Sequence, residues 1–117
     1  VKIVDRKTFL EHPPETLYMK FAPHHFGELC IKGETLRAPS GEAIDWYYQD
    51  FDNVDANDTG EWLDALERAM KGASITLDFD CQDRDGLFDQ DQLFAVWEPD
   101  DVRALVERLQ RCLPPEG

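Results

Sequence analysis

The stretch Ser74 to Trp97, SITLDFDCQDRDGLFDQDQLFAVW, decides how the fold is read. Its first part alternates: Ile75, Leu77 and Phe79 would share one face of an extended chain, and Thr76, Asp78 and Asp80 the other. This predicts a strand over 74–80. QLFAVW, residues 92–97, predicts a second strand. Residues 81–91 form the connection, rich in Asp and Gly. Connections within the strand groups are too short for parallel crossovers, which need a dozen or more residues, so the sheet should be largely antiparallel.

Helices flank this stretch. Upstream, Asp58 stands at an N-cap with Glu61 three residues later, a capping-box spacing. Trp62, Leu63, Leu66, Ala69 and Met70 then recur at helical period, and Gly72 closes the segment. Downstream, Pro99 opens a helix with Asp100 and Asp101 in its first turn. Its apolar stripe is Val102, Leu105, Val106, Leu109 and Leu113, and Pro114-Pro115 ends it.

Nearer the start, VKIV (1–4) reads as an edge strand, and Asp5 caps a short helix over RKTFLEH. TLYMKF (16–21) and FGELCIKG (26–33) read as a hairpin, residues 37–42 as a loop, and AIDWYYQDF (43–51) as an aromatic strand. The expected fold is a single α+β domain over 1–117. It has a mostly antiparallel sheet of about five strands, two longer helices on one face and a short N-terminal helix. The unit from 43–51 through the helix to 74–80 is a candidate right-handed parallel crossover.

The formal net charge is −13, and it is unevenly placed. Residues 41–101 hold eighteen acids and three bases, Arg68, Lys71 and Arg84, whereas both flanks are close to neutral. Such a field opposes direct binding to nucleic acid or an anionic membrane and attracts a basic partner. Cys30, Cys81 and Cys112 are odd in number and form no CxxC pair, which suits reduced thiols in the cytoplasm. No secretory signal and no run of eighteen apolar residues is read.

Six aspartates, Asp78, Asp80, Asp83, Asp85, Asp89 and Asp91, fall within fourteen residues, with only Arg84 to oppose them. A calcium loop with Gly86 at its sixth position places Asp85 and Asp83 correctly, but Cys81 and Gln92 then occupy positions that need oxygen ligands. A second frame on Gly60 puts Leu66 at the twelfth position and fails too. Asp78 and Asp80 on one strand face would stand roughly 7 Å apart, and two-metal nucleases use such carboxylates, but this region would repel nucleic acid with only Lys71 and Arg84 nearby in sequence. His24-His25 with Glu28 and Cys30 lacks a fourth zinc ligand at standard spacing. Cys30 and Cys81 have no evident base, and Ser40 and Ser74 lie outside any GxSxG motif. No catalytic residue, metal ligand or cofactor is therefore assigned.

The remaining reading is an anionic surface. Asp50, Asp52 and Asp55 would extend the acidic row if strand 43–51 lies beside strand 74–80, with Trp46 and Tyr48 as interface anchors. In size and charge the chain resembles bacterial immunity proteins and nucleic-acid-mimicking inhibitors. It is expected to be a cytoplasmic protein-binding module, not an enzyme. Its expected role is to inhibit a nuclease, toxin or nucleic-acid-binding complex by covering that partner's basic surface. The alternative is a calcium- or magnesium-dependent module or hydrolase using the Asp78–Asp91 carboxylates.

Overall fold

The computed structural model describes residues 1–80 and 82–115. Among these residues six strands form one antiparallel sheet: β1 (Lys2–Val4), β2 (Thr16–Ala22), β3 (His25–Arg37), β4 (Ala43–Gln49), β5 (Asp83–Arg84) and β6 (Leu93–Val96). Their order in space is β1-β6-β2-β3-β4-β5. Three helices accompany them: α1 (Arg6–Leu10), α2 (Thr59–Met70) and α3 (Pro99–Gln110). The mixed, largely antiparallel architecture expected from sequence is present, with six strands in place of about five.

The core is aromatic, and the short helix closes it. Asp5 caps α1 by accepting the Thr8 N–H at 2.8 Å. This turn drives Phe9 and Leu10 onto one sheet face, where both are buried. Phe9 stacks on Phe94 with centroids 3.9 Å apart and meets Trp46 edge-on at 5.1 Å. Tyr18 and Val96 complete the cluster. The longer helices were expected to cover one face, but α2 buries only Ala65 and α3 buries none of its residues. Five well-placed residues thus outweigh two twelve-residue amphipathic helices.

Three strand expectations need correction. Residues 74–80 are not a strand: Leu77 makes one isolated antiparallel bridge to Val54. The cause is Asp78, whose carboxylate accepts the Asp80 N–H at 2.8 Å and turns the chain. The crossover from β4 through α2 is accordingly not parallel. Gly72, at φ +98°, ends α2, and the chain returns antiparallel beside residues 53–55. β3 runs through Gly33 to Arg37, past the end read at that glycine. Gly33 sits in a register shift between Lys32 and Thr35, where a Cβ would displace the Gln82 amide and press on the Tyr47 carbonyl at 3.3 Å.

β6 and the N-cap of α2 agree with the sequence reading. Asp58 accepts the Glu61 N–H at 2.8 Å, and the Glu61 carboxylate reaches back to the Asn57 N–H at 2.9 Å. Among the described residues no helix is long and apolar enough to cross a membrane.

Candidate functional site: an acidic sheet edge

The site begins with a residue the sequence reading passed over. Asp45 lies in β4 and is fully buried. Its Oδ2 accepts Arg84 Nε at 2.5 Å and the Gly86 N–H at 3.1 Å. Burial pushes this carboxyl up, but the Arg84 hydrogen bond and the Trp46 and Gly86 N–H groups more than offset it, so it stays below the usual 3.8. The clamp holds residues 83–86 against β4, with Asp83 opposite Tyr48 and Arg84 opposite Tyr47. The one base among the six aspartates therefore serves Asp45, not its neighbours. The hint in the sequence was a lone Asp inside an aromatic strand.

That docking brings Asp83 towards Asp50, Asp52 and Glu28. The Asp50 carboxyl is raised above 3.8 by burial first, then by the charge of Asp52 and a carboxyl–carboxyl hydrogen bond with it, and last by the charges of Asp83 and Glu28. Its Oδ1 is buried with no hydrogen-bond partner. Burial, followed by Asp83 and Asp50, likewise raises the Tyr48 phenol. Glu28, Leu29, Asp50, Phe51 and Asp52 line a shallow cleft of about 320 Å³. Beside it, the backbone bonds Asp55 N–H to Thr76 O and Asp78 N–H to Asn53 O, both 2.8 Å, tie residues 76–78 to 53–55. Phe51 and Phe79 then pair at 6.1 Å while 38% and 54% exposed. Two accessible aromatic rings thus stand among Asp50, Asp52, Asp78 and Asp80.

The other expected site residues lie elsewhere. Asp85 turns inward to an ion pair with Lys20 at 2.7 Å, its side chain 5% exposed. Asp89 accepts the Asp91 N–H at 3.1 Å in the loop before β6. Gln90, between them, lines a cleft beside α1 with Arg6 and Lys7. The six aspartates therefore cross the sheet and do not form one row. Asp55 is exposed and Tyr48 half-buried. Trp46 is no surface anchor: it is 1% exposed, and its indole N–H donates to the Tyr18 hydroxyl at 3.0 Å. Tyr47, the aromatic between Trp46 and Tyr48 on the same strand, is 36% exposed.

The chemical alternatives find little geometry. His24 and His25 are exposed at the β2–β3 turn, while Cys30 is half-buried. Among the described residues no three His, Cys, Asp or Glu side chains converge where they could hold a metal ion. Burial, then the charges of Asp50 and Glu28, pushes the Cys30 thiol up to about 11, which keeps it protonated and poorly nucleophilic at neutral pH. Cys81 lies outside the described residues. Comparison with protein-family models, with curated proteins and with solved structures finds no match to this chain.

Proposed function

We propose that the chain is a non-catalytic binding module that docks its acidic β4–β5 edge onto a basic surface of another protein. The observation that carries this reading is Asp50. Its carboxyl is partly buried beside Asp52, Asp83 and Glu28, like charges that raise it, and among the described residues its Oδ1 has no hydrogen-bond partner. Folding tolerates that repulsion, and a guanidinium or ammonium group from outside would relieve it. The exposed Phe51–Phe79 pair, its rings tilted by 50°, adds apolar surface against which an Arg side chain can pack. A partner whose basic surface normally holds nucleic acid offers both features, so its inhibition by occupancy is the expected outcome. The protein would act in the cytoplasm, where thiols stay reduced.

The test is capture with the immobilised chain, followed by reconstitution with the purified protein it retains. Wild type should hold a basic protein that rising salt releases. The variant Asp52→Lys/Asp83→Lys should lose it. Asp100→Lys/Glu107→Lys, with the same change in net charge on α3, should keep it. Equal retention by both variants, or equal loss, would overturn the assignment of the edge.

A further inference from the structure

α1 carries a charge into the aromatic core. Arg6, Phe9 and Leu10 share one face of the helix, at i, i+3 and i+4, and all three are buried, Arg6 to 5% exposure. The Arg6 guanidinium lies over the Trp46 ring, 5.6 Å from its centroid. A guanidinium stacked in this way still presents its N–H groups within its own plane. Nη2 donates to the Ile44 carbonyl at 2.7 Å, and that is the one hydrogen bond of this side chain among the described residues. No carboxylate among them pairs with it. Arg84 answers a buried Asp45, but Arg6 is a buried cation without a counter-charge, which is costly.

The rest of that guanidinium opens into a cleft. Arg6 lines a space of about 480 Å³ between α1 and the turn that joins β3 to β4. None of its nitrogens is both shut off from solvent and without a partner, so those not held by Ile44 face the opening. Lys7 stands exposed beside it. Leu10 and Ala43 add apolar wall. Gln90 reaches the cleft from the loop before β6; its amide N–H bonds the Phe88 carbonyl at 3.4 Å, which leaves its oxygen to accept.

Charge narrows what can enter. On a chain of net charge −13 the lining is formally neutral: Arg6, Lys7 and Arg37 stand against Asp5, Glu11 and Glu42. Two of those acids are engaged, Glu11 by Arg37 at 3.3 Å and Asp5 by the Thr8 N–H at 2.8 Å. Glu42 remains to oppose Arg6 and Lys7. A single negative charge is therefore matched, and a doubly charged phosphate is not.

We propose that this cleft binds a small organic monoanion, whose carboxylate lies edge-on to the Arg6 guanidinium in a charge-assisted pair. Lys7 strengthens the field at the mouth, and Leu10 and Ala43 flank the body of the ligand. A hydroxyl or amine on that body meets the Gln90 oxygen. The cleft shares β4 with the acidic edge but no lining residue with the Asp50 cleft, so the two sites are separable.

The test titrates benzoate, benzamide and inorganic phosphate at constant ionic strength, followed by proton–nitrogen NMR. Benzoate should give saturable shifts at Arg6, Lys7 and Gln90. Benzamide, with the same body and no charge, should bind at least about tenfold more weakly, and phosphate more weakly than benzoate. Arg6→Met should abolish benzoate binding. Because Arg6 also holds Ile44, a second variant acts at an exposed position: Lys7→Glu should weaken benzoate about fivefold. Lys71→Glu, the same charge change at the exposed end of α2, should leave it unaltered. No saturation by benzoate up to about 50 mM, benzamide binding as tightly, or a folded Arg6→Met that still binds would overturn the site. Equal weakening by Lys7→Glu and Lys71→Glu would trace binding to net charge and overturn it too. Phosphate binding more tightly than benzoate would refute the choice of a carboxylate.

Discussion

Replacing Arg84 by Ala should cost much of the fold's stability, even though half of its side chain is in water. Asp45, its partner at 2.5 Å, is fully buried, whereas Arg84 is 50% exposed. Removing one member of a buried pair costs about 3–5 kcal/mol, because the other charge is stranded. Two features reduce that figure. The Gly86 N–H still donates to Asp45 at 3.1 Å, and solvent screens the exposed part of the guanidinium. The expected loss at pH 7 is about 2–3 kcal/mol. In wild type, the lowered Asp45 value means stability present above the unfolded pKa and lost as pH falls through the folded one. In the variant, burial is opposed only by the Trp46 and Gly86 N–H groups, so the carboxyl takes up a proton at higher pH than in wild type. The cost should therefore shrink below about pH 4. Urea unfolding followed by tryptophan fluorescence at pH 7 and pH 3.5 measures both arms, Trp46 reporting from the core. Asp45→Asn in the Arg84→Ala background should cost less than the two single losses combined. A loss under about 1 kcal/mol at pH 7, or the same loss at both pH values, would refute a stranded carboxylate.

Four further outcomes are expected. Phe9→Ala should destabilise by about 3–5 kcal/mol in the same urea assay, since its ring touches Phe94, Trp46 and Tyr18; a small loss would show that α1 does not close the core. Lys32 is fully buried, bonded only to Thr35 and Gly33, and burial lowers its pKa. Lys32→Met should raise stability at pH 7 by about 1–3 kcal/mol; it should also abolish a rise in wild-type stability as pH climbs from the lowered folded value towards the unfolded one, about 10.4. Asp50→Asn should stabilise at pH 7 by up to about 1 kcal/mol. The gain should vanish in acid, since a raised carboxyl is relieved as pH falls through its folded pKa; chemical denaturation at pH 7 and pH 3 reads both. His24 holds φ +71° beside Pro23, and His24→Gly should raise stability by about 0.5–1 kcal/mol, read from the thermal midpoint.

What was legible in the sequence was local. Asp58, Pro99 and the acidic first turn of α3 bound their helices by capping chemistry that needs no distant partner. QLFAVW holds a short continuous apolar run and becomes β6. The misreading of 74–80 was a contest between two local effects. The alternation of Ile75, Leu77 and Phe79 favours extension, but Asp78 bonds a backbone N–H two residues on. Asp85 and Asp89 do the same, to Leu87 and Asp91, so part of the aspartate density is turn-making. Gly33 looked like a strand end because a glycine in a bulge carries the same signature. The acidic edge was visible as density, but its division was not. Lys20 neutralises Asp85 from 65 residues away, and Arg84 meets Asp45 across 39. The importance of α1 was hidden as well, since five residues carry too short a period to reveal which ring they bury.

The insertion of β6 between β1 and β2 also sets an order of events during synthesis. The ribosome delivers this strand, second from the sheet's edge, after the other five. Until residue 96 emerges, β1 has no neighbour to bond, and Phe9 lacks the ring it stacks on. The hairpin of β2 and β3 can form early, but one of its edges stays open for most of translation. Until β6 is made the free edge of β2 stays adhesive, and the arrival of β6 joins β1 to β2 in one step.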